Sequence, residues 1–120
     1  MRYVLLIYSE EQTAQPSQAE LDAVMAEWWA YDTAIKESGG VHVSGAALQP
    51  TQTATTVRVK GDERIVTDGP FAETREVLGG YYLVDVPDLD AALDWAAKCP
   101  GAKFGSMEVR PVMEFDAATG

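Results

Sequence analysis

Two stretches of the chain carry apolar side chains at both parities. Between Arg2 and Tyr8, Tyr3, Leu5 and Ile7 fall on one face of an extended strand, and Val4, Leu6 and Tyr8 on the other. From about Glu76 to Val86, Tyr82, Val84 and Val86 alternate with Tyr81, Leu83 and Asp85. A strand that is apolar on both faces is buried on both faces. Gly79-Gly80 marks a bulge or a close backbone approach inside the second stretch.

Elsewhere the period changes. After a polar linker, Ser9 to Pro16, Ser17 and Glu20 stand at capping-box spacing and open a helix. Leu21, Val24, Met25, Trp28, Tyr31 and Ile35 recur at three and four, the stripe of an amphipathic helix, and Gly39-Gly40 closes it. Val41 to Leu48 reads as a second strand and Gln49 to Thr53 as a turn. In the third strand, Ala54 to Lys60, Val57 and Val59 oppose Thr56, Arg58 and Lys60. Gly61-Asp62 is a hairpin signal. Arg64 to Thr67 returns, and Asp68-Gly69-Pro70 breaks the pattern. Asp88 caps a second helix whose stripe is Leu89, Ala92, Leu93, Ala96 and Ala97, and Pro100-Gly101 ends it. Ser106 to Phe115 is the last strand, and residues 116–120 form a tail of the single domain, 1–120.

With one hairpin inserted, this order is the ferredoxin-like split βαβ arrangement of an α+β fold. In that topology the first strand and the strand before the second helix are central, and these are the two that are apolar on both faces. Two helices cover only one face of the sheet. At roughly 25 cal/mol per Å², leaving the other face wet would forfeit several kcal/mol and expose a large apolar patch. The simplest cover is the same face of a second copy, so the expected assembly is a homodimer, a dimeric α+β barrel. The alternative is a monomer that uses the linker and hairpin as a lid. Ser9 to Pro16 has almost no apolar residue with which to form one.

Composition narrows the partners. The chain has 120 residues, 9 basic and 19 acidic, for a formal net charge of −10. Such a surface repels phosphate backbones and anionic lipid, so neither nucleic acid nor a membrane surface is expected. The single cysteine, Cys99, makes no internal disulfide, and with a single histidine, His42, no zinc or iron–sulfur site is expected. No cofactor fingerprint, phosphate loop or serine elbow is present. The apolar run near the N-terminus is too short for a signal-peptide core or a membrane span, which makes the cytoplasm the expected location.

DGPFAETREVLGGYYLVDVPDLDAALDWAAKCPGA, from Asp68 to Ala102, resembles the signature of the DGPF branch of the YCII-related (YciI-like) domain family. MRYVLLIYSEE at the start, GSMEVRPVMEF near the end and GVHVSGAALQPTQTATTVRVKG between them are also similar to that family. The resemblance implies a dimeric α+β barrel and no single activity. In the YciI-like branch a His–Asp pair in a cleft is the proposed catalytic centre, its histidine near the middle of the first helix. Here that stretch is Glu27-Trp28-Trp29-Ala30, so the pair does not carry over intact, and Asp68 is the candidate for its acidic half. The resemblance also suggests a regulatory link to an extracytoplasmic-function sigma factor.

The candidate catalytic residues are Asp68 and His42. Asp68 could act as a base or ligand acceptor at a cleft mouth, or simply hold a turn in which Gly69 permits positive φ, Pro70 fixes φ and Phe71 anchors the loop. His42 could titrate near neutrality, or sit as a surface residue on an edge strand. The candidate ligand-binding residues are Trp28, Arg58, Asp68, Phe71, Arg75, Tyr81 and Arg110. Arg58 and Arg110 either pair with acids such as Glu108 and Glu114 or hold a carboxylate or phosphate of a small ligand. Arg75 follows a loop and could fold over the cleft. Trp28 and Trp29 point about 100° apart on a helix, so one of them must lie at its edge. The expected function is small-molecule binding in a cleft beside the Asp-Gly-Pro-Phe loop. The alternatives are cofactor-independent acid/base catalysis by Asp68 or His42, and an interaction module tied to the sigma factor.

Overall fold

The two strands that are apolar on both faces lie side by side at the centre of the sheet. The structure is a computed structural model and describes residues 1–11 and 16–115. The chain runs β1 (Arg2–Ser9), α1 (Gln18–Lys36), β2 (His42–Ala47), a 3-10 turn (Thr51–Thr53), β3 (Thr55–Lys60), β4 (Glu63–Asp68), β5 (Val77–Asp85), α2 (Leu89–Lys98), α3 (Pro100–Phe104) and β6 (Ser106–Pro111). One antiparallel sheet has the order β2-β5-β1-β6, the ferredoxin-like order, and β3 and β4 form a separate two-stranded ribbon.

Both long helices begin on the caps that the sequence offers. The Ser17 side chain accepts the Glu20 amide at 3.2 Å, and Asp88 accepts the Ala91 amide at 2.9 Å. Each satisfies an orphan N–H of the first turn.

Strand parity sorts the core. Tyr3 and Leu5 of β1 and Val84 of β5 face the helices and are buried against Tyr31, Ile35, Val86, Ala92, Ala96 and Cys99. No residue of the opposite face is fully buried. By register that face carries Val4, Leu6 and Tyr8, Tyr81 and Leu83, Ser44 and Ala46, and Glu108 and Arg110. Only the second half of α1 reaches the core. Leu21 and Met25, which belong to the expected stripe, are 39% and 49% exposed. In α2 Ala92 and Ala96 are buried, whereas Leu89, Leu93 and Ala97 of the expected stripe are exposed. Small side chains let that helix lie close to the sheet, which displaces its leucines to the flanks.

α2 ends at Lys98, just ahead of Pro100-Gly101 as expected. The same pair also opens the short α3, because proline at the first helical position loses no hydrogen bond. One boundary differs from expectation. β6 stops at Pro111 rather than Phe115, because its partner strand ends. Tyr3 pairs with Pro111, and the Val112 amide makes a further bond to the Arg2 carbonyl. The expected tail, residues 116–120, lies outside the described residues.

Both readings of Gly79-Gly80 hold. Ile7 pairs with Gly80 and Tyr8 with Leu78, so Gly79 is the extra residue of a bulge. A Cβ on Gly80 would stand 2.7 Å from the Ala46 carbonyl oxygen, so β2 and β5 approach there as only glycine allows.

The hairpin half of the lid arrangement is not formed, and residues 12–15 of the linker lie outside the described residues. In the ribbon every residue except Thr56 is exposed, and it stands away from the four-stranded sheet. The molecule measures 49 × 47 × 18 Å, the smallest dimension being that of a slab of one sheet and one helical layer.

Candidate functional site

The predicted site residues fall into three places. Tyr81 and Arg110 lie on the open sheet face, in neighbouring rows with Leu6, Val4, Glu108 and Tyr8. Arg110 Nε donates to Glu108 Oε2 at 2.6 Å. That bond and the adjacent negative charge raise the guanidinium's pKa, with a smaller contribution from Tyr8. Arg110 therefore already holds an acid within its own chain. An apolar surface with tyrosine hydroxyls and an arginine–glutamate pair at its margin can hold a planar organic body and orient polar substituents on it.

Arg58, Asp68, Phe71 and Arg75 belong to the ribbon and the loop after it. The register separates two of them. Thr55 pairs with Asp68, Val57 with Val66 and Val59 with Arg64, so these six share one face of the ribbon. Arg58 pairs with Ile65 on the other face. Asp68 and Arg58 therefore cannot enter one cleft from one surface of the ribbon. Among the described residues no carboxylate lies within ion-pair distance of Arg58.

Gly69 has φ +97°, donates its amide to the Ala54 carbonyl at 2.7 Å and accepts from Thr56 Oγ1 at 2.8 Å. A turn pinned on both sides at positive φ calls for glycine. Phe71 does not anchor this loop: its side chain is 78% exposed. Polar pairs do the fastening instead. Arg75 pairs with Glu10, Thr51 bonds Glu11 through its hydroxyl and its amide, and Ser106 Oγ donates to Glu76 Oε1 at 2.9 Å. The Thr51 bonds hold the Glu11 carboxyl below its ordinary pKa, and the Glu10 bond raises that of Arg75. Within the chain Arg75 is thus paired with Glu10, its side chain 88% exposed.

Trp28 and His42 lie on the helix side of the sheet. Trp28 packs on the core near Gly101, Ile7 and Met107, whereas Trp29 is 65% exposed. The one cleft that would hold Trp28 together with Arg110 and Tyr81 is not formed within the chain, since the sheet stands between them. His42 sits on the edge strand β2, its ring edge-on to Tyr82 at 5.9 Å between centroids.

Sequence reasoning missed the polar network beside that histidine. Tyr82 Oη donates to Asp32 Oδ1 at 2.8 Å, and Lys36 Nζ lies 2.8 Å from Asp32 Oδ2. The Lys36 bond holds the Asp32 carboxyl below its ordinary pKa, helped by Tyr82 and opposed by partial burial. Burial and then the Asp32 bond push the Tyr82 phenol well above 10, and burial does the same for Tyr31, whose hydroxyl donates to the Trp95 carbonyl at 2.9 Å. The four-residue spacing of Asp32 and Lys36 was a local signal for half of this network.

Between α1 and α2–α3 runs an open groove of about 420 Å³, with Tyr31, Trp95, Lys98 and Cys99 among its walls. Cys99 is buried, and burial raises its thiol pKa, which makes it a packing group rather than a nucleophile. Among the described residues no cluster of three or more His, Cys, Asp or Glu could hold a metal, and no described helix is long and apolar enough to cross a membrane.

The YCII-related domain matches residues 1–116. An uncharacterised protein of Rhizobium meliloti (strain 1021) is 43% identical over 115 residues, which cover 93% of this chain and 92% of that protein. On both grounds the chain belongs to the YCII-related domain family.

Proposed function

We propose that the protein acts as a homodimer whose two open sheet faces meet, and that it binds a small organic molecule in the cleft between them, beside the Asp-Gly-Pro-Phe loop. The observation that carries this reading is the uncovered sheet face. Its central strands present Val4, Leu6, Tyr8, Tyr81 and Leu83, all only part-buried, with Glu108 and Arg110 on the strand beside them. Facing sheets pack about 10 Å apart. A flat, aromatic ligand with an anionic substituent suits the tyrosines and the arginine. Binding is favoured over acid/base catalysis, because Asp68 is exposed on the ribbon and His42 lies across the sheet from the open face.

Native mass spectrometry of the gently purified protein tests the reading. The expected result is twice the 13.0 kDa chain mass with an additional small organic mass. A 13.0 kDa species alone would refute it.

A second reading rests on a separate patch. Leu21, Met25 and Trp29, at successive intervals of four on α1, are 39%, 49% and 65% exposed and do not belong to the open sheet face. This stripe suits an interaction module whose partner is a protein such as an extracytoplasmic-function sigma factor. Leu21→Ser with Met25→Ser should then abolish sigma-factor binding and leave the dimer intact. Unchanged binding would dismiss it.

A further inference from the structure

The β3–β4 ribbon is larger and more apolar than a free surface arm has reason to be. Val57, Val59 and Val66 share one of its faces and are 59%, 70% and 57% exposed. An isolated two-stranded hairpin is marginally stable at best in water, and its bare edges invite pairing with another chain. Among the described residues of its own chain, nothing covers this one.

The dimensions give the same indication. The radius of gyration is 16.8 Å, against about 13.6 Å for a compact chain of this length. The accessible surface is 8727 Å², against about 6,300 Å² for a compact monomer of this mass. The excess, about 2,400 Å², is well beyond the roughly 800 Å² per partner of a standard interface. The open sheet face does not account for it. Four strands at about 4.8 Å spacing and six residues in length give roughly 400 Å² in projection. The ribbon adds a two-sided apolar surface that stands away from the sheet, and a second copy is the occupant that supplies cover to both arms at once.

We infer that the ribbon is an exchange arm: in the dimer each arm lays its Val57, Val59 and Val66 face on the partner subunit. This inference rests on the dimer proposed above and extends it. Arg64 and Asp68 lie on the same face as the valines, so they arrive at the partner with them. The aspartate of the Asp-Gly-Pro-Phe loop thus completes a site on the other subunit, and neither chain holds a whole site alone. Arg58, on the reverse face, stays outside the contact.

The test is a photo-crosslink from the arm. Val57 is replaced by p-benzoylphenylalanine, and unlabelled and 15N-labelled chains are mixed, allowed to exchange and irradiated. The expected result is a crosslinked pair of mixed isotope composition, lost when Val59→Asp and Val66→Asp are added. Native mass spectrometry of the same samples gives the assembly state. A dimer whose crosslinks are all within one chain, or absent, would overturn the arm and leave the dimer standing. A monomer would overturn both. Neither substitution touches the core, so circular dichroism should be unchanged.

Discussion

Removing one hydroxyl from Tyr82 isolates a bond that joins α1 to the centre of the sheet. In Tyr82→Phe the ring stays against Tyr31 and His42, whose centroids lie 5.4 and 5.9 Å away. Only the 2.8 Å bond to Asp32 is lost. Bonds to charged groups contribute about 1.5–3 kcal/mol net when buried. The Asp32 side chain is 26% exposed and keeps its bond to Lys36, so water replaces part of the loss. The expected cost is about 1–2 kcal/mol. The assay is urea unfolding of both proteins at a series of pH values. Asp32 has a depressed pKa in the folded state, so the stability it contributes is fully present above its unfolded pKa near 4 and is lost as pH falls through the folded value. The difference between wild type and variant should therefore be constant from pH 5 to pH 8, a window that starts about one unit above the unfolded carboxylate pKa, and shrink below pH 4. No destabilisation at neutral pH, or a difference that persists unchanged in acid, would refute the reasoning.

Leu5 is fully buried, so Leu5→Ala should cost about 3–4 kcal/mol by denaturant titration. A loss below about 1 kcal/mol would place Leu5 outside the core. Gly80→Ala drives a Cβ against the Ala46 carbonyl, which is backbone and cannot swing away. Hydrogen exchange should show β2 amides losing protection while β1–β6 pairing persists. Cys99 should resist a thiol reagent in the native protein at pH 8 and react in denaturant, since its side chain is 2% exposed and burial raises its pKa.

The sheet was legible in the sequence because its evidence is local. Parity along β1 and β5 marked both as central strands, and Ser17 and Asp88 marked the helix starts. The flanks were less legible. Leu21 and Met25 follow the helical period as faithfully as Ile35, yet only Ile35 has sheet beneath it. Period reports which residues share a face, and how far that face is covered depends on where the sheet ends. Pro100 ends α2 as the sequence implied, while the short α3 that it opens has no apolar period long enough to read. Of the candidate site, the open face with Tyr81 and Arg110 followed from alternation. The separation of Arg58 from Asp68 needed the exact ribbon register, and the Tyr82–Asp32 bond joins residues 50 positions apart, beyond any local pattern.

The central claim is that the open sheet face belongs inside a dimer, and light scattering on a sizing column tests it with one substitution. Leu6 lies on that face and outside the helix-side core, so Leu6→Asp should leave the single-chain fold in place. The account predicts twice the 13.0 kDa chain mass for the wild type and 13.0 kDa for the variant, with similar circular dichroism. A wild-type protein of 13.0 kDa, or a variant that still runs as a dimer, would contradict it.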